Sequence, residues 1–137
     1  MRISIVNYDN CFRKGGINKV VRETASFYEK LGHELIVFHP SKEEHTEKKI
    51  NANFTGLSSP IFRPPYNLSK KFVKELEVGI SDFDPDIIHL HGYMNLLSHQ
   101  ISLALRKKFP EKKIIFSPHF DTAFSSRLIK LIFPIFN

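Results

Sequence analysis

The chain has 137 residues, 42% of them hydrophobic and 25% charged, the size and composition of one globular domain, which excludes a disordered tail or a membrane-embedded bundle. Twenty Lys and Arg against fourteen Asp and Glu leave a net charge of +6, which favours anionic partners. The basic residues are scattered through pairs such as Arg13-Lys14, Lys48-Lys49 and Lys112-Lys113, without the aromatic ladder or helical stripe of a nucleic-acid reader, so no nucleic-acid partner is expected.

In chain order, residues 2–7 are a β-branched run that ends in a polar, glycine-containing loop. Ile17, Val20, Val21, Ala25, Tyr28 and Leu31 then recur at helical spacing, and Gly32 is a stop signal for that helix. Residues 34–38 read as a second apolar strand, closed by Pro40. Residues 41–67 are polar and charged, Pro-rich toward their end, with at most a short strand around 50–54. Ser69 is placed to cap a helix that carries Phe72, Val73, Leu76 and Ile80 on one side, and Asp84-Pro85-Asp86 turns the chain into a strand over 87–91. A helix over about 95–109, burying Leu96, Leu97, Ile101, Ala104 and Leu105, stops at Pro110 and leads to a strand over 113–117. The last piece, 125–136, reads as helical up to Pro134.

Strands alternating with helices, the strands apolar on both faces, define an α/β fold: a Rossmann-like, mainly parallel sheet with helices on both faces. A doubly wound sheet would place a further strand after residue 136, so the 137 residues are expected to be an incomplete domain. No apolar run reaches the roughly 20 residues needed to span a bilayer. Cys11 is the single cysteine, which rules out an internal disulfide and a Cys-based zinc cage. Together with the lack of a secretory leader after Met1 it favours a cytoplasmic location.

In open parallel sheets ligands bind outside the carboxyl ends of the strands. Three strands deliver candidates there: Asn7-Tyr8-Asp9 with the loop to Gly15 and Gly16; His89-Leu90-His91-Gly92, followed by Asn95; and Pro118-His119-Phe120-Asp121-Thr122. Two readings stay open for Gly15 and Gly16, a tight turn that demands positive φ or a cradle in which backbone amides and a helix N-terminus meet an anion. Arg13 and Lys14 beside them suit the anion. His89 and His91, two apart on a strand, share a face; His89 reads as structural, whereas His91, at the strand end beside Gly92 and Asn95, can reach a ligand. His119 is the foremost candidate, in a loop leaving a strand end with Asp121 after it. Cys11, with no local partner, reads as a bystander, and His33, His39, His45 and His99 as structural or solvated.

The opening strand, the Lys14-Gly15-Gly16 loop with Val20-Val21-Arg22-Glu23, and Leu31-Gly32-His33-Glu34 running into a strand resemble the N-terminal domain of the family-four retaining glycosyltransferases of GT-B architecture. The segments 84–92 and 117–122 are similar to that family's next two hallmarks, in the same order, so the resemblance covers nearly the whole chain. It implies transfer of a sugar from a nucleotide-sugar substrate to an acceptor, saccharide or lipid, with retention and with neither metal nor cofactor. Gly15 and Gly16 would lie near the donor diphosphate. His119 would be the active-site histidine, contacting the sugar or supporting positive charge at its anomeric carbon, and His91 a neighbour on the acceptor side. Asn95 and Asp121 would complete the donor and acceptor contacts.

Residues 1–137 would then be the acceptor-side, N-terminal half, and the C-terminal donor-binding domain, with its two glutamates seven residues apart, would have to come from elsewhere, as a missing domain or a partner subunit. The isolated chain is expected to be inactive. Two alternatives stand beside this. One is a metal-dependent hydrolase built on His89, His91, His119 and Asp121. The other is a non-catalytic binding or partner subunit, in which the apolar residues of 128–136 support a homodimer, or with Arg127 and Lys130 a peripheral contact with an anionic membrane.

Overall fold

The computed structural model describes residues 1–41, 45–49, 52–58, 69–92 and 96–119. In order these form β1 (Arg2–Asn7), α1 (Gly16–Lys30), β2 (Glu34–Ser41), β3 (His45–Lys49), β4 (Ala52–Ser58), α2 (Lys70–Phe83), β5 (Ile87–His91), α3 (Leu96–Lys108) and β6 (Lys113–Ser117). The Rossmann-like α/β expectation is borne out: β4-β2-β1-β5-β6 are mutually parallel, and β3 is an antiparallel strand on the β4 edge. The helix expected over 125–136 lies outside the described residues.

Alternation along the strands sorts the core into two layers. Ile3 and Ile5 of β1, Leu35 and Val37 of β2 and Phe54 of β4 pack with Val21 and Ala25 of α1. Val6, Phe38, Leu57, Ile88 and Leu90 project to the opposite face, where Phe72, Leu76 and Ile80 of α2 and Leu97, Ile101 and Leu105 of α3 cover them. Burying a side chain of this size contributes about 1.5–3 kcal/mol, so these layers dominate the stability of the sheet.

Local signals fix the helix ends. Ser69 caps α2 by accepting from the Phe72 amide, with Asp84 in the left-handed region at the other end. Gly32, at φ 78°, follows the end of α1. Two expectations need correction. The segment expected to hold at most a short strand around 50–54 carries two, β3 and β4, paired antiparallel. The link between β2 and β4 therefore runs through a strand rather than a helix, and a polar edge strand needs no apolar periodicity to reveal it.

The buried stripe of α1 also differs from expectation. Val21 and Ala25 are buried as expected, but Val20 is 37% and Leu31 56% exposed, and the stripe's first member is a polar residue, Asn18. No helix among the described residues is long and apolar enough to cross a membrane.

Candidate functional site

Strand β1 lies between β2 and β5, and the chain leaves it first toward β2 by way of α1 and later returns on its other side. The strand order reverses here, and in open parallel sheets the carboxyl edge at such a point is where ligands bind. Asn7 lies opposite His91 in the β1–β5 register, and His91 opposite Ser117 in the β5–β6 register, so three strand ends meet at one level.

On the β1 side the loop before α1 is tied down by buried amides. Asn7 Nδ2 donates to Asn18 Oδ1 and to the Asp9 carbonyl, each at 2.8 Å, and Asn18 Nδ2 donates to Asp9 Oδ2 at 3.1 Å. Arg13 pairs with Asp9 at 3.4 Å, and Arg22 donates to the Cys11 carbonyl. Cys11 itself is fully buried, and burial pushes its thiol up to about 12, so it carries no thiolate near neutral pH. The bystander reading fits this environment.

The two readings of Gly15 and Gly16 separate once their backbone is seen. Gly15 has φ 170°, an extended angle open to any residue, and positive φ among the described glycines occurs only at Gly32 and Gly92. A Cβ on Gly15 would meet only the Asn18 side chain, at 3.4 Å, and one on Gly16 would meet nothing within 4 Å. Neither a turn nor packing requires glycine at this position. Gly15 is the N-cap of α1 and supplies no side-chain cap, and the first turn of this fifteen-residue helix holds no acidic residue, so its positive end is suited to an anion.

Gly92 is the glycine that the fold does require. Its φ is +97°, and a Cβ there would lie 2.1 Å from the Tyr8 ring, which packs directly on it. Its amide donates to the Ser117 carbonyl at 3.1 Å and so ties the end of β5 to the end of β6.

On the α1 side of β5, three histidines come together. His89 sits between two hydroxyls, Tyr28 Oη at 3.2 Å from Nδ1 and Ser117 Oγ at 2.7 Å from Nε2. The His91 ring lies 4.2 Å from that of His89 and near-parallel to that of His119, edge to edge with centroids 5.2 Å apart and its Nδ1 2.9 Å from His119 Nε2. His91 Nε2 is buried without a partner among the described residues. Burial, reinforced by its two histidine neighbours, holds the His91 imidazole down at about 3, and burial also lowers His89 and His119, so all three are neutral near pH 7. A neutral, partly exposed His119 at a strand end is suited to hydrogen bonding with a ligand rather than to pairing with a charge.

The expected rim is thus assembled at His89, His91 and His119. Gly15 and Gly16 join the same edge through β1, whereas Asn95 and Asp121 lie outside the described residues. His89, read from sequence as structural, bonds two hydroxyls. Among the described residues, no group of three His, Cys, Asp or Glu is arranged to hold a metal ion. Sequence reasoning named Asn7 at its strand end without its partners, and missed Asn18 and the contacts that Tyr28 and Ser117 make with His89. Of these only Asn18 left a signal, a polar residue in phase with Val21 and Ala25.

A parallel sheet whose order reverses at β1, covered by helices on both faces, defines a Rossmann-like α/β domain. The model of Glycosyltransferase Family 4 matches residues 14–136, nearly the whole chain, and the protein belongs to that family as an N-terminal, GT-B-type domain. No curated protein gives a significant match to it.

Proposed function

We propose that this domain forms the acceptor-side half of a glycosyltransferase that moves a sugar from a nucleotide-sugar donor to an acceptor with retention. The observation that carries the reading is the glycine pair at the start of α1, where neither backbone angle nor packing calls for glycine and the open space suits the close approach of a diphosphate. The amides there offset the charge left on the leaving diphosphate as the glycosyl bond breaks. His119 faces the sugar from the opposite wall of the crevice and His91 supports it from behind. Asn95 and Asp121 add donor or acceptor contacts. No metal or cofactor takes part.

The second half of the machinery, a donor-binding domain with paired glutamates, is supplied by another domain or subunit. By itself the 137-residue chain therefore binds donor weakly and turns none over. The direct test is ligand-observed NMR of the chain with a panel of nucleotide sugars. Weak binding is expected for at least one, with loss of about tenfold or more in Gly16→Val at little cost in stability, since a Cβ there meets no protein atom within 4 Å. Equal binding by Gly16→Val sinks the cradle, and turnover by the chain alone sinks the two-part reading. An inverted anomeric product from the completed enzyme sinks retention.

A further inference from the structure

The pair His91 and His119 raises a question that their proximity does not answer: which ring carries the shared proton. Two neutral imidazoles 2.9 Å apart need one donor and one acceptor, and the choice decides what His119 offers to the crevice. If His119 Nε2 donates, the remaining His119 nitrogen is a bare acceptor. If His91 Nδ1 donates, His119 must carry its own proton on Nδ1.

The surroundings of His91 discriminate. Its other nitrogen, Nε2, is buried with no partner among the described residues, and His91 as a whole is only 3% exposed. His89, the ring packed beside it, has both nitrogens engaged by Tyr28 and Ser117. Were His91 to accept at Nδ1, its single proton would sit on Nε2 as a buried, unpaired N–H, and orphaned buried donors are rarer than under-used acceptors. Were it to donate from Nδ1, only a lone pair would be left unused. Its neutrality down to about 3 keeps a single proton on the ring across the working range. The ends of β5 and β6 are joined by the Gly92 amide on the Ser117 carbonyl, which holds His119, two residues further on, to the His91 ring.

We infer that His91 is a positioning residue that donates from Nδ1 to His119 Nε2 and so locks His119 in the Nδ1–H form, presenting an N–H donor to the crevice. This is the tautomer that free histidine favours less in water. The ligand group that meets His119 is accordingly an acceptor, such as a hydroxyl or phosphate oxygen, and not a donor proton in search of a base. The inference deepens the proposed role of His119, but its test reads tautomers in the chain alone and does not depend on transferase activity or on any bound sugar.

The experiment is nitrogen NMR of the 137-residue chain labelled at its histidine rings, at about pH 7.5, above the ordinary histidine range. A scalar coupling between His91 Nδ1 and His119 Nε2, with the proton attached to His91, is the expected result. In His91→Phe the coupling is lost and His119 reverts to the Nε2–H form. His91→Asn, whose amide reaches the Nδ1 position, restores the Nδ1–H form. A proton found on His119 Nε2 in the unmodified chain overturns the inference, as does an unchanged His119 tautomer in His91→Phe. Should that variant fail to fold, the coupling in the unmodified chain decides alone.

Discussion

Strand β5 carries two kinds of residue on its two faces, and they follow different rules. Ile88 and Leu90 meet α2 and α3 in an apolar layer, while His89 and His91, each one residue away, join a chain of rings and hydroxyls on the α1 side. The first face is held by area removed from water, which is tolerant of exact geometry and indifferent to pH. The second is held by directional bonds among groups that must stay neutral, and it is the face that carries the candidate site. Stability and chemistry are therefore separated by a single pleat, so substitutions on the two faces should fail in different ways.

The sharpest test of the difference is Ile88→Ala. It empties part of the α2–α3 layer and should cost about 2–5 kcal/mol, read as a drop in urea midpoint that is the same at every pH. A loss that grows on acidification would mean that the two faces are coupled.

The histidine face should show the opposite behaviour. Its folded imidazoles titrate below the ordinary value of 6.5, His91 at about 3, so below 6.5 the unfolded chain binds more protons than the folded one. Stability is then full above about 6.5 and falls as pH drops toward about 3, by an amount on the order of a few kcal/mol over the whole window. In His91→Phe the slope should shrink without vanishing, because His89 and His119 are shifted in the same direction. Urea titrations at several pH values check this, and an unaltered slope in the variant would refute the assignment to His91.

At the junction of the two faces, Gly92→Ala should cost about 1–3 kcal/mol from its left-handed backbone and its clash with the Tyr8 ring. Adding Tyr8→Ala should remove the clash but not the backbone strain, so a double-mutant cycle on thermal unfolding separates the two. The smallest effect belongs to the apolar side. Ser69→Ala removes the cap on the Phe72 amide and should lower stability by about 1 kcal/mol with no change in the histidine tautomers.

Much of the architecture was legible because it is written in local patterns. The β-branched run of β1, the Ser69 cap and the Asp84-Pro85-Asp86 turn each act over a few residues, and the strands and helices fell where those signals put them. The strand β3 was not legible, since a polar edge strand is stabilised by its partner β4 and carries no pattern of its own. Val20 and Leu31 were misread for a related reason: helical spacing marks a broad apolar arc, and only the sheet beneath decides which part of it is covered.

The candidate site divides along the same line. That His91 and His119 lie at strand ends on one edge followed from the order of elements, because parallel strands deliver their carboxyl ends together. That Gly16 sits in open space and Gly15 against Asn18 alone, that Asn7 and Asn18 brace the loop behind them, and that His91 faces His119 across 2.9 Å did not follow. The sequence by itself determined the alternation of strands and helices, the helix boundaries and the candidate rim, since these depend on periodicity and on residues close together in the chain. Only the tertiary structure decided which glycines the backbone needs, which polar groups are buried and which ring nitrogens meet, because each depends on atoms brought together from distant parts of the chain, and a one-dimensional pattern carries no distance between them.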